Sequence, residues 1–167
     1  MIKDSGTRRE YETGAVRDNA EGKGRCDLLP LDVAARLTPI DGNKHKVLES
    51  IGLFMETDNV YHLVHALELF REDRGWDSPT MLLEVSKHFE EGNKKYPPDE
   101  DGTPNWTKGI PIRCYVDSGT RHFLKWCRGD NDEPHDRAFC WNLMCALWTI
   151  KHKPELDDYR KKDQTNA

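Results

Sequence analysis

No stretch of this chain approaches the roughly 20 consecutive apolar residues that a membrane-spanning helix needs. Its opening residues, MIKDSGTRRE, hold no apolar run of the kind a secretory leader carries, so the chain is expected in the cytoplasm and off the membrane. Five cysteines stand at 26, 114, 127, 140 and 145, and none belongs to a CxxC pair. That spacing excludes a zinc ribbon, and a cytoplasmic chain has no need of a disulfide framework. Cys114, Cys127, Cys140 and Cys145 fall in apolar helical patterns and read as small reduced core residues. Positive charge is also short. The net charge of −5 argues against a duplex-binding protein, which wants a basic surface for the phosphate backbone, so no nucleic-acid partner is expected. Strand alternation, internal repeats and low-complexity segments are missing too, which makes the expected fold all-α.

What is present is bulky core material and unevenly placed charge. The 167 residues suit one domain, and five Trp, five Tyr and five Phe supply volume for its core. Basic residues gather between Lys94 and Arg128, a balance that suits a small anionic ligand better than a long polyanion, if it is not chance. Residues 1–27 read as a Gly/Arg-rich arm in which Arg8, Arg9, Arg17, Lys23 and Arg25 lie among glycines. The segment Gly22-Lys23-Gly24-Arg25 is no Walker loop, because it lacks the four-residue spacer and the following Ser or Thr.

Residues 28–152 then read as a bundle of about four core helices. A short helix ends at Pro39. Two helical stretches, 44–56 and 58–72, form either an insertion (43–76) or part of the bundle, with Asp58 as N-cap between them and Gly75 closing the second. A central helix opens at Ser78-Pro79, with Ser78 as its cap and Leu82, Val85, Phe89 and Tyr96 as its apolar face. Glu84, His88, Glu91 and Lys95 form a polar stripe on that helix. The stripe suits chemistry on a metal-bound phosphate, and a solvated helix face would look the same. After a long loop carrying Asn105 and Trp106, helices are expected over 113–128 and 134–152, and a charged tail over 153–167 in which Leu156 and Tyr159 could dock. Trp106 either stacks on a base or anchors its loop to the bundle. His135 and Asn142 share one face of the last helix and need buried partners.

Four motifs in one order, GTRREYETGAVRD…EGKGRCDLLP, HFEEGNKKY…NWTKGIP, DSGTRHF and DEPH…WN, resemble the phage-type dATP/dGTP diphosphohydrolases, relatives of the MazG-like all-α nucleotide pyrophosphohydrolases. The likeness runs from about Gly6 to Asn142, with a gap between Gly42 and Trp76. It implies metal-dependent hydrolysis of a purine deoxynucleoside triphosphate, dGTP or dATP, to the monophosphate and pyrophosphate. In some phages of this type the dGMP feeds synthesis of a modified purine. It also implies Mg²⁺ (or Mn²⁺) and a homo-oligomer.

On that reading Glu84, Glu90, Glu91, Asp117 and Glu133 are the candidate metal ligands, and Glu91 and His135 the candidate catalytic residues. Lys23, Arg25, Lys95 and Arg121 would hold phosphates, and Asn105, Trp106 and Asn142 would meet base or sugar. The chain departs from the wider group, which carries Glu-x-x-Glu on one helix. Here the central helix offers His88-x-x-Glu91, and a Glu-x-x-Asp falls at Glu133–Asp136. Two other readings stay open. An HD-type phosphohydrolase would use His122, His135, Asp136 and Asp157 or Asp158 on a softer metal. A non-catalytic nucleotide- or partner-binding module would use none of these groups for turnover.

Overall fold

The computed structural model describes residues 2–38 and 41–160. It is built from helices α1 (Leu31–Leu37), α2 (Lys44–Thr57), α3 (Tyr61–Arg74), α4 (Ser78–Lys95), α5 (Ile112–Arg128) and α6 (His135–His152). The all-α expectation holds apart from one small hairpin in the arm, β1 (Arg8–Glu10) and β2 (Val16–Asp18), paired antiparallel with Arg9 opposite Arg17. Three-residue strands of mostly charged residues leave no alternation to read. Pro39, expected to end the first helix, lies outside the described residues, as do 161–167 of the expected tail; α1 itself stops at Leu37.

α5 and α6 form an antiparallel pair at the centre. Gly119 lets them approach closely: a Cβ there would stand 2.9 Å from Leu143 Cδ1 and 3.3 Å from Asn142 Cβ. The α2–α3 hairpin closes one side. Phe70 of α3 meets Phe139 at 4.7 Å and Trp126 at 4.9 Å between ring centroids, both edge-on, a geometry that adds to the apolar burial. Val47, Leu48, Ile51, Phe54 and Leu63 are fully buried, so this hairpin contributes directly to the core. α4 packs on α6 from the other side.

Several local expectations shift by a residue or a face. Asp58 does not cap α3; it sits at φ 56 as the left-handed C-cap of α2, and Asn59 Oδ1 accepts from Tyr61 N instead. The cap of α4 is Asp77, whose Oδ1 accepts from Thr80 N at 2.8 Å, and Ser78 is the first helical residue. The inward face of α4 runs through Val85, His88 and Phe89, and Leu82 is exposed. The face is rotated because α4 meets α6 through Trp141, which lies beside both His88 and Phe89.

The arm is tied down. Ala15 is buried, Thr13 Oγ1 donates to Gly109 O at 2.6 Å, and Asp18 N donates to Tyr96 Oη at 2.9 Å. The tail docks through Tyr159, edge-on to Phe54, and through Asp158, which accepts from Arg113.

Candidate active site

The arm, α4, α5, α6 and the loops before α5 and α6 enclose a cavity of about 730 Å³, within the range of small-ligand clefts. Ala15, just before β2, is buried, and Val16, Arg17 and Asp18 of β2 line the cavity. Arg17 lies 5.1 Å from the centre of the Trp141 ring and 5.7 Å from that of Tyr115, and its Nη2 donates to Ser118 Oγ and to Asn142 Oδ1. Among the described residues no carboxylate pairs with it, and its buried Nη1 has no hydrogen-bond partner. His88 Nδ1 and Trp141 Nε1 are likewise buried without partners, and both residues line the same cavity. Burial pushes His88 down to about 3, with the positive charges of Arg137 and Arg17 adding to the effect, so its ring is neutral.

Other cations at the rim are neutralised. Lys95 reaches Asp18 at 2.8 Å; burial pushes the Asp18 carboxyl up, but Lys95 and Tyr96 outweigh it and hold it below the usual range. Arg25 clasps Asp27 with two bonds of 2.6 and 2.5 Å. Arg121 holds Asp117 and also donates to Lys23 O and Gly24 O. No described carboxylate pairs with Arg9 or Lys23, both of which line the cavity.

At the far end of the cavity stand His122 and Glu133. His122 Nδ1 lies 2.8 Å from His135 Nδ1, and Glu133 Oε1 is 3.8 Å from each of those nitrogens. Burial, reinforced by His135, pushes His122 well below its usual range. His135 Nε2 meets Asp132 Oδ1 at 2.7 Å.

A sequence model described as dATP/dGTP diphosphohydrolase, N-terminal, matches residues 58–159, more than half of the chain. The chain belongs to that family. No curated protein and no solved structure matches it. The matched span carries α4, α5 and α6 of this dATP/dGTP diphosphohydrolase-family chain, hence the aromatic wall and the histidine end of the cavity. The arm that supplies Arg9, Arg17 and Lys23 lies before it.

In this family member the residues singled out from sequence are distributed unevenly. Lys23, Arg25, Lys95, Asn105, Trp106, Asp117, Arg121, Glu133 and Asn142 line the cavity. Glu84, Glu90, Glu91 and His135 do not. Glu84 is bonded to Lys87 and Glu90 to Lys94, each within α4 and facing outward. Glu91 accepts from Ile2 N at 3.0 Å and stands 3.5 Å from Arg137, joining the arm to α6. His135 is 2% exposed and lies behind His122. Asn105 spends its amide on Val16 N and O, so it positions β2. Trp106 anchors its loop against Phe89 and Trp148, and it also lines the cavity.

Asp117, 6% exposed, accepts from Cys26 N at 2.6 Å and from Arg121. Among the described residues no three carboxylates converge. Mg²⁺ wants a near-octahedral set of hard oxygens, and the five expected acids do not assemble one. The groups that do converge mix imidazole with carboxylate: His122, Glu133 and His135, and, on the outer side of His135, Asp130, Asp132 and His135. Of the HD-type set, His122 and His135 meet, but Asp136 turns away to Arg74 and Asp158 to Arg113. Sequence reasoning did not assign Arg9, Arg17, His88, His122 or Trp141 to the nucleotide site. For Arg17 and His122 the signals were available: an arginine among glycines, and a DSGTRHF helix.

Proposed function

We propose that this chain hydrolyses a purine deoxynucleoside triphosphate, dGTP or dATP, to the monophosphate and pyrophosphate. The observation that carries the reading is that Arg17, His88 and Trp141, each with a buried polar atom left without a partner, line one cavity. Each such group costs about 1–3 kcal/mol when left unpaired, and a polar ligand offsets that cost. The family's own description supports hydrolysis of dATP or dGTP in particular.

Arg17, Arg9 and Lys23 grip the polyphosphate. The Arg17 fork is held by Ser118 and Asn142, so it needs little ordering when the substrate arrives. Trp141 and Trp106 offer faces and edges to the base, and the neutral His88 accepts or donates one hydrogen bond to its edge. The attacking water sits at the His122–Glu133 end, where lone pairs face the cavity. Closure of the arm over the site, through Lys95–Asp18 and Tyr96, limits entry of bulk water. Mg²⁺ enters this reading on the triphosphate, as the counter-ion of its phosphates.

A homo-oligomer belongs to the same proposal, supported by Leu28, Leu37 and Leu83, each more than half exposed. So do a phage setting and the use of dGMP for a modified purine. The test is incubation of the chain with dGTP and dATP plus Mg²⁺, with the products separated by ion exchange. Monophosphate and pyrophosphate in equal amounts are expected. Nucleoside plus intact triphosphate would replace this reaction with the HD-type one, and binding without turnover would make the chain a nucleotide-binding module.

A further inference from the structure

The structure assigns a transition-metal site to His122, Glu133 and His135, with Asp132 as its orienting partner. Three ligand atoms converge: His122 Nδ1 and His135 Nδ1 are 2.8 Å apart, and Glu133 Oε1 is 3.8 Å from each. The point equidistant from these three atoms lies about 2.0 Å from each of them, the bond length of Zn²⁺ to imidazole nitrogen or carboxylate oxygen.

The hydrogen-bond inventory leads to the same place. Asp132 Oδ1 sits 2.7 Å from His135 Nε2, and Lys3 holds the other Asp132 oxygen at 2.6 Å. A carboxylate accepts only, so His135 Nε2 carries a ring proton, and in the neutral ring Nδ1 then carries a lone pair. Two imidazole Nδ1 atoms and a carboxylate oxygen then share at most one proton. This is a surplus of lone pairs in a site where His135 is 2% exposed. A divalent cation satisfies all three. A histidine that ligates a metal through one nitrogen and donates its other N–H to a carboxylate is the usual outer-shell arrangement of such sites. Lys3 N donates to Glu133 Oε2 at 3.3 Å, which leaves Oε1 turned toward the histidines.

Two nitrogens and one oxygen favour Zn²⁺ or Co²⁺ over Mg²⁺ and Mn²⁺, which prefer oxygen. His122 and Glu133 also line the cavity, so the ion borders the space where the phosphates would lie. This site deepens the hydrolase reading, but ion binding is measured without nucleotide, so either can fail while the other stands.

The experiment uses the full chain, stripped with chelator and then titrated with Zn²⁺ and Co²⁺ in the presence of excess Mg²⁺. It is followed by calorimetry, by metal analysis after gel filtration and by the visible spectrum of the Co²⁺ form. One ion per chain is expected, undisplaced by Mg²⁺, with Co²⁺ bands showing nitrogen ligation. Glu133→Gln and His122→Ala should abolish that stoichiometry, and Asp132→Asn should weaken affinity about 10- to 100-fold. Far-UV circular dichroism checks the fold of each variant. If His122→Ala does not fold, Glu133→Gln, which changes one oxygen at the mouth of the site, decides alone. Absence of a stoichiometric ion in the folded wild-type chain overturns the assignment. So does binding that survives Glu133→Gln but is lost in Asp130→Asn, which would move the ion to the outer group.

Discussion

On the proposed reading, phosphate recognition turns on Arg17. It has two neutral hydrogen-bond acceptors, two aromatic rings beside it and no described carboxylate. Arg17→Ala should lower kcat/KM for dGTP by about 100-fold, the scale of losing one preorganised charged donor. Arg17→Lys should recover only part of this, since an ammonium cannot bond Ser118, Asn142 and a phosphate with one rigid fork. Steady-state kinetics and nucleotide titration check both; wild-type turnover in the alanine variant would remove Arg17 from the site. The arm's basic residues were recognisable as a group from sequence. Which of them remain available for an anion was not, because that depends on acids brought in by folding. Arg8 meets Asp4 and Asp18, Arg25 meets Asp27, and Lys95 finds Asp18 from 77 residues away. Asn105 shows the same limit: its neighbour in sequence is Trp106, yet its amide is spent on Val16.

Among elements, the α5–α6 pair matters most, because it carries Ser118, His122, His135 and Asn142. Their closeness depends on Gly119, where an added Cβ would press on Leu143 and on Asn142 Cβ. Gly119→Ala should cost about 1–3 kcal/mol by overpacking. It should also lower turnover by shifting Asn142 away from Arg17. Chemical denaturation and kinetics on the same preparation check this, and a variant with unchanged stability would show that the helices have slack. Helix positions were legible to within a few residues, since apolar spacing and Gly stops are local signals. Faces were less so. α4 carries Leu82, Val85 and Phe89 within two turns, and only the neighbour at Trp141 decides that the buried side runs through Val85, His88 and Phe89. The hairpin escaped notice because its pairing rests on a Tyr11–Ala15 turn and on docking to Tyr96 and Asn105, not on its own pattern.

At the scale of the whole molecule, the tail returns to the junction of α2 and α3. There Asp58, in its left-handed C-cap conformation, faces Asp157, with Arg160 the nearby cation. Burial, and next the Asp157 charge, pushes Asp58 up to about 6 from the usual 3.8. A carboxyl whose folded pKa is raised contributes stability that is full below about 3.8 and is lost as pH climbs through about 6. Asp58→Asn keeps a side chain that tolerates the left-handed cap and removes the charge. It should raise stability at pH 7 by roughly 1 kcal/mol, allowing for solvent screening, and flatten the pH dependence between about 4 and 6. Thermal melts across that range check it; an unchanged slope would mean that Arg160 already compensates.

Helix content, the supply of bulky core residues and the family were determined by the sequence alone, because periodicity, composition and motif order can be read without the fold. Which charges stay unpaired, which acids turn outward on α4, and that two histidines 13 residues apart share a carboxylate were decided only by tertiary structure. Those outcomes depend on distances between segments far apart along the chain. There, each buried ion or lone pair must find a partner or leave a cavity that asks for one.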